Sequence, residues 1–405
     1  MPEIVLISIS GKDHPGLTSA FAHVLAESDA VLLDIGQAVI HDVLALGIMV
    51  QLPAAAASSV RQAIDRRARE LGVIAHLAPV SPDQYQKWIQ KQHKQRFTIT
   101  LLAEQVQAAD LAAIAKVFAA RGVNIDTMDR LSSRSAALDL EPRMCIEFNV
   151  SGNGIDASDL RRSLLVLADH AGFDVAVQQD SIFRRNRRLV AFDMDSTLIQ
   201  MEVIDELARL ANAGEKVAAI TAAAMRGELD FETSLRRRLA LLKGLPERAI
   251  VDLGSRLPIT PGAHRLLRTL KLLGYKTAII SGGFRCFATR LQQELGFDFV
   301  CANELALHEG MITGEAVGDI VTARRKADAL QEIAAAEGLS MEQTIAIGDG
   351  ANDLPMLSVA GLGIAFHAKP VVRERAQHSI SRMGLDALLY LLGLRDRYTE
   401  VGDSC

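Results

Sequence analysis

Apolar residues recur along this chain in two rhythms, and the change between them divides it. Residues 4–10, IVLISIS, read as a strand, and GKDHPG follows as a turn. Leu17, Phe21, Val24 and Leu25 then fall at helical spacing in LTSAFAHVLAES. VLLDIGQAVI and LALGIMVQL read as strands around a polar turn. SSVRQAIDRRARELG reads as a helix closed by Gly72, and VIAHLAPV as a last strand. The order predicted over residues 1–85 is βαββαβ, the ferredoxin-like arrangement. Residues 95–180 repeat it: FTITLLA, a helix ending at Gly122, VNIDTMDRLS, RMCIEFNVSG, a helix ending at Gly172, and FDVAVQQ. That is an internal duplication, two copies of one module. The polar stretch SPDQYQKWIQKQHKQ joins them, with Trp88 as an expected packing anchor.

From residue 181 to 405 the rhythm changes. The apolar runs LVAFD, YKTAIIS, FVCANEL, TIAIGD and GLGIAF alternate with helices such as AHRLLRTLKLLG and RKADALQEIAAAEG. Continuous apolar strands between helices predict a parallel sheet covered on both faces, a Rossmann-like α/β fold. Ligands of such sheets bind beyond the carboxyl ends of the strands. Three strands here end in polar groups, at Asp193, Ser281 and Asp349.

Composition narrows the possibilities. With 405 residues the chain can build two or three cores, and a net charge of −5 gives no electrostatic case for nucleic acid. The basic run Arg184-Arg185-Asn186-Arg187-Arg188 reads as a solvated approach to a strand. Cys145, Cys286, Cys301 and Cys405 form no CxxC pair, so neither a disulfide framework nor a zinc site is expected. No run of apolar residues is long enough to span a membrane, and the first residues lack a signal peptide's basic start. A cytoplasmic protein is expected.

A lone strand-end aspartate is usually a cap. Here Asp193, Asp195 and Asp349 would repel one another if brought together bare. Crowded carboxylates persist around a cation, and hard oxygen ligands select Mg²⁺. Ser281 has the opposite character: it precedes Gly282-Gly283 and a helix starting near Phe284, where exposed backbone N–H groups suit a phosphate. Lys326 opens a helix and supplies a positive charge, and GDGAND (348–353) forms a tight acidic turn. Together these groups read as phosphoryl transfer.

DMDST, IIS, Lys326 and GDGAND, in that order, resemble the four motifs of the haloacid dehalogenase (HAD) superfamily. Between the first two, residues 200–260 read as helices. MEVIDELA and MRGELDFETSLRRRLALLKGLP are similar to the helical cap of the phosphoserine phosphatases within that superfamily. The resemblance covers 189–395. The duplicated N-terminal part resembles paired ACT domains. The expected fold is therefore two ferredoxin-like ACT domains at 1–85 and 95–180, then an HAD-type phosphatase domain at 181–405 with a cap at about 200–260.

The resemblance implies a residue-by-residue chemistry. Asp193 would be the nucleophile and Asp195 the general acid and base. Mg²⁺ would be held by the Asp193 side chain, the Asp195 backbone carbonyl and Asp349. Ser281, the Gly282 N–H and Lys326 would grip the phosphate, with Asn352 and Asp353 orienting Lys326 and the metal's waters. Thr197 would steady the loop or serve as a plain turn hydroxyl. Glu202 would meet the ammonium of O-phospho-L-serine and Arg238 its carboxylate, the third arginine of the run being selected by register from Phe231. Phe231 and Met225 would wall the cap. In the first ACT copy, Asp13 and Gly16 in GKDHPGL would bind a free amino acid, L-serine, as a feedback ligand; the second copy, AEQVQAADL, lacks the Pro-Gly. A homodimer through the ACT domains is expected, with no nucleic-acid or membrane partner. The alternatives are an HAD phosphatase or phosphomutase for another small phosphate ester, and an amino-acid sensor with a vestigial phosphatase domain.

Overall fold

The computed structural model describes residues 2–90, 94–133 and 143–399, apart from the side chains of Gln90 and Met225. Cys405 lies outside the described residues. The chain forms two compact units, one up to Lys94 and one from Gln95 onward.

The first unit contains β1 (Glu3–Lys12), α1 (Leu17–Ala26), β2 (Val31–Ile40), β3 (Val43–Leu52), α2 (Ala57–Glu70) and β4 (Ile74–Val80). Its sheet runs β2-β3-β1-β4, antiparallel throughout. Leu17, Phe21 and Leu25 of α1 and Val60, Ile64 and Ala68 of α2 bury one helical stripe each against Val5, Ile7, Leu46 and Ile48. This period-3.6 stripe on period-2 strands is the pattern the sequence carries. A further helix, α3 (Pro82–Gln90), occupies the stretch that reads only as polar. Ser81 caps it by accepting from Gln84 N, and Tyr85 stacks on Trp88 at 5.9 Å between centroids.

The second unit opens with the same module: β5 (Gln95–Ala103), α4 (Ala108–Ala119), β6 (Asn124–Arg130), β7 (Met144–Gly152), α5 (Ala157–Ala171) and β8 (Asp174–Gln179), in the order β6-β7-β5-β8. The remainder is built on β9 (Leu189–Phe192). All four of its residues are buried, because helices cover both faces. The cap helices follow: α6 (Val203–Leu210), α7 (Gly214–Met225), α8 (Phe231–Ala240) and α9 (Glu247–Gly254). Next come α10 (Ala263–Leu272), β10 (Lys276–Phe284), α11 (Arg285–Leu295), β11 (Phe299–His308), β12 (Met311–Val317) and α12 (Ala323–Ala336). After them lie β13 (Thr344–Gly348), α13 (Leu354–Val359), β14 (Leu362–Phe366), α14 (Pro370–Arg375), β15 (His378–Ile380), α15 (Leu388–Leu391) and α16 (Asp396–Thr399).

The sheet order is β12-β11-β10-β9-β13-β14-β15, with β12 the antiparallel edge. The chain winds outward from β9 through β10 and β11, then returns to β13 on the other side of β9. The strand order therefore reverses at β9, where such sheets bind ligands. Two strands went unread in the sequence. β12 pairs with β11 across Glu309-Gly310, both at positive φ (49° and 74°), a tight hairpin turn. β15 is three residues long, too short to carry a period.

The second module is seated against the α/β portion built on β9. Asp174 Oδ2 accepts from Ser381 N (2.7 Å) and Arg382 N (3.0 Å), and Gln178 donates to the Leu391 carbonyl (2.9 Å). Asp386 accepts from both Arg143 and Arg265. The basic run corrects the expectation of a solvated approach. Arg184 is buried in an ion pair with Glu147 of β7, and Arg187 is buried with Nη1 on the Arg184 carbonyl (2.8 Å). The seam supplies the carboxylate and carbonyls that let these cations leave water.

Candidate active site

Asp193 is the first residue after β9, placed at the switch point by the strand's own ladder; its N–H donates to the Ile347 carbonyl of β13 at 2.8 Å. The chain then turns sharply, with Ser196 in the left-handed region at φ 58°. The turn carries Asp195 round to accept from Val203 N (3.3 Å) at the start of α6.

Across the sheet, β10 does not end at Ser281. Its register with β11 shifts between Ile280 and Phe284, so Ser281, Gly282 and Gly283 lie in a bulge. Ser281 is buried and its Oγ accepts from Gly283 N at 3.0 Å. The glycines are there for closeness. A Cβ on Gly283 would stand 2.5 Å from Asp195 Oδ2, and one on Gly282 would stand 2.9 Å from the Phe231 ring. The bulge, the aspartate turn and the first residue of cap helix α8 thus converge.

Lys326 enters from the first turn of α12, whose cap is Thr322 accepting from Arg325 N. The ammonium donates to Asp193 Oδ1 (2.8 Å) and Asp353 Oδ1 (2.6 Å), in a site where the lysine is 1% exposed. Burial alone would lower its pKa, but the two carboxylates outweigh that and raise it. Asp353 Oδ2 also accepts from Gly350 N (2.9 Å), which closes the acidic turn. Carboxylate oxygens of Asp193, Asp349 and Asp353 all lie within 4.8 Å of one another. Burial, then Asp193 and Asp353, push the Asp349 carboxyl up to about 8, and Thr197 Oγ1 donates to it at 3.3 Å. Burial and Asp193 push Asp353 up to about 6 against the pull of Lys326. Three carboxyls this close, with one lysine among them, form an oxygen set suited to a hard divalent cation.

Asp195 is held well above the usual carboxylate range by burial, Glu202 and Asp193. Glu202, the N-cap of α6, accepts from Ser196 Oγ (2.8 Å), and burial raises its pKa too. Arg238 is half-buried on α8 with Nε on the Ser234 carbonyl (3.4 Å), while Arg236 pairs with Glu232 on the outer face. Burial lowers the Arg238 pKa; the charges of Asp205, Glu202 and Asp195 oppose this. Asn352 is half-buried in the acidic turn, with Oδ1 close over Gly350. The backbone of Met225 ends α7; its side chain lies outside the described residues. Asp13 and Gly16 belong to the first unit: Asp13 N donates to the Asp42 carbonyl (2.7 Å), and Gly16 caps α1 at φ 96°.

Two contacts were not anticipated. Thr260 Oγ1 donates to the Thr197 carbonyl (2.7 Å), bracing the aspartate turn from below. Asn303 joins the Gly282 carbonyl to Val321 N. Its signal was present: a polar residue inside the apolar run FVCANEL.

Comparison with known proteins agrees with this fold. Residues 190–358 match the haloacid dehalogenase-like hydrolase model, and residues 3–78 and 96–178 each match an ACT domain model. The phosphoserine phosphatase SerB2 of Mycobacterium tuberculosis is 43% identical over 400 residues, 99% of this chain and 95% of that protein. The chain belongs to the phosphoserine phosphatase family. Another member, from Streptomyces coelicolor, is 40% identical over 401 residues, 99% of this chain and 94% of its own length. Among solved structures, an HAD family hydrolase of Salmonella enterica serovar Typhi superposes with a TM-score of 0.63 at 33% identity, covering 73% of this chain and 98% of its own. An HAD-like hydrolase domain and two ACT domains are thus combined in this chain from Glu3 onward. No helix among the described residues is long and apolar enough to cross a membrane.

Proposed function

We propose that the protein hydrolyses O-phospho-L-serine to L-serine and phosphate, the last step of serine biosynthesis. The observation that carries this reading is the buried Asp193–Lys326 pair at the switch point, with Asp195 beside it, in a chain related over nearly its whole length to phosphoserine phosphatases.

Asp193 attacks phosphorus, and the serine–phosphate P–O bond breaks as an aspartyl-phosphate forms. Asp195, whose environment favours its protonated form, gives its proton to the departing serine oxygen. It then takes one from the water that opens the aspartyl-phosphate. Such acid–base help is worth about 10²–10⁴-fold. Lys326 and Ser281 hold phosphate oxygens together with the Gly282 N–H, while Asp353 and Asn352 keep Lys326 and the acidic turn in place. Asp193, the Asp195 carbonyl and Asp349 would hold Mg²⁺, which when bound neutralises charge on the transferring group. Glu202 takes the substrate ammonium and Arg238 its carboxylate, a pairing that guanidinium geometry makes selective. Phe231 lies over the phosphate loop and excludes water from it; the wall role expected of Met225 falls on a side chain outside the described residues.

The first ACT module binds L-serine at the Asp13–Gly16 turn as a feedback ligand. The chain forms a homodimer through its ACT modules; β2 is an open sheet edge with Val31, Leu32, Ile35 and Ile40 exposed, a surface that another chain can pair with. Unpaired cysteines at 145, 286 and 301 are consistent with a cytoplasmic protein. The test is phosphate release from L-phosphoserine with and without Mg²⁺, repeated with added L-serine. No Mg²⁺-dependent release would overturn the reading.

A further inference from the structure

We propose that Asn303 is a positioning residue that locks the phosphate-gripping loop to the segment delivering Lys326. This inference rests on the phosphatase reading above. Asn303 lies in β11 and is 2% exposed. Its Nδ2 donates to the Gly282 carbonyl and its Oδ1 accepts from Val321 N, both at 2.7 Å.

The need for such a clamp comes from the bulge. Where β10 and β11 lose register between Ile280 and Phe284, the ladder cannot serve the backbone of residues 281–283. A half-buried carbonyl left there unpaired would still be costly. Asn303 opposes Phe284 at the resumption of pairing and satisfies Gly282 with its side chain instead.

What it fixes is a peptide plane. The Gly282 carbonyl and the Gly283 N–H belong to one rigid unit. Holding the carbonyl therefore aims the N–H, which donates to Ser281 Oγ at 3.0 Å. A hydroxyl that accepts there keeps its own proton to donate elsewhere, and a phosphate oxygen is the partner the site offers. The other arm reaches Val321, buried and adjacent to Thr322, the cap of the helix that carries Lys326. One amide thus sets the spacing between the two groups that grip phosphate from either side. Small errors in that spacing are expensive in rate: about 1 Å of misplacement can cost about 100-fold.

Asn303→Ala removes both arms. Asn303→Asp keeps the acceptor for Val321 N but puts an oxygen, not a donor, against the Gly282 carbonyl. We expect both variants to lower kcat for L-phosphoserine by about 10- to 100-fold and to weaken competitive inhibition by inorganic phosphate, with the Asp variant destabilised but still folded at the assay temperature. Variants within twofold of wild type in kcat and phosphate inhibition overturn the proposal. So does a loss that vanishes at temperatures where the variant is fully folded. If Asn303→Ala does not fold, Asn303→Asp decides; if neither folds, Asn303 is a folding residue and the proposal falls. Should wild type itself release no phosphate from L-phosphoserine, the functional reading fails instead. Calorimetric binding of inorganic phosphate to wild type and the Asp variant then still tests the clamp, equal affinities overturning it.

Discussion

Lys326 Nζ donates to Asp193 Oδ1 across 2.8 Å, with both side chains buried. The bond sets what a variant can change without disturbing the fold. Asp193→Asn keeps an oxygen that accepts from Lys326 but removes the nucleophile. Turnover should drop below a few per cent of wild type while Tm stays close to it. Retained activity at constant Tm would show that Asp193 is not the nucleophile. Lys326→Met should lose activity and stability together, because Asp193 and Asp353 are then left buried without their cation, a defect worth about 3–5 kcal/mol.

The crowded carboxyls give a pH dependence of defined sign. Asp349 is pushed up to about 8 and Asp353 up to about 6, against roughly 3.9 in an unfolded chain. A carboxyl with a raised folded pKa favours the fold while protonated and loses that contribution as pH rises through the window. Metal-free protein should therefore lose stability from about pH 4 to about pH 8. Mg²⁺ needs the ionised carboxylates, so the rise in Tm that it produces should be larger at pH 8 than at pH 6. Titrations shared by both samples cancel in that difference. Asp349→Asn should abolish it. Equal Mg²⁺ shifts at the two pH values would remove Asp349 from the metal site.

The parts of this site legible in the sequence share one property: each is a polar residue where an apolar pattern begins or stops. Asp193 and Asp349 were visible because strand patterning ended at them, and Lys326 because a helix opened there; the motif order then placed them together. Asn303 and Arg184 were less legible, since the pattern of each one's own segment does not show the partner it meets. Arg184 reads as a solvated charge until Glu147, on β7, is found beside it. The direct bond from Asp353 to Lys326 was foreshadowed only as an orienting role; its distance comes from how α12 meets the acidic turn. Strand β12 was missed because MITGEAV barely alternates, and its hairpin depends on the left-handed Glu309-Gly310 turn.

Arg238 is the specificity test. It is half-buried among Asp205, Glu202 and Asp195, while Arg236 is engaged with Glu232 outside. Arg238→Ala should lower kcat/KM for L-phosphoserine by about 10- to 100-fold, the value of one or two charge-assisted hydrogen bonds. The loss should appear mainly in KM. An ester lacking the carboxylate should be affected far less. Equal losses on both substrates would make Arg238 a support of the cap rather than a substrate contact.

The proposed serine regulation can be tested apart from catalysis at Gly16. This residue caps α1 at φ 96°, where a side chain is strained, and its carbonyl accepts from Ala20 N at 2.9 Å. The first N–H groups of α1 lie beyond it, the kind of helix start that receives a carboxylate. The second copy is built differently. Gln107 occupies the cap in an extended conformation, and Asp110 folds back to accept from Gln107 N at 2.8 Å. An acid already placed at that helix start opposes an incoming carboxylate, so the first copy is the one to perturb. Gly16→Val should force the turn out of the left-handed region and weaken inhibition by L-serine. Uninhibited kcat should remain within twofold of wild type, because Gly16 belongs to the other compact unit. A coupling of about 1–3 kcal/mol corresponds to a 5- to 150-fold change in serine affinity between states, well within reach of an inhibition curve. Inhibition unchanged by Gly16→Val would mean that serine acts only as product at Glu202 and Arg238, and the regulatory role of this turn would be excluded.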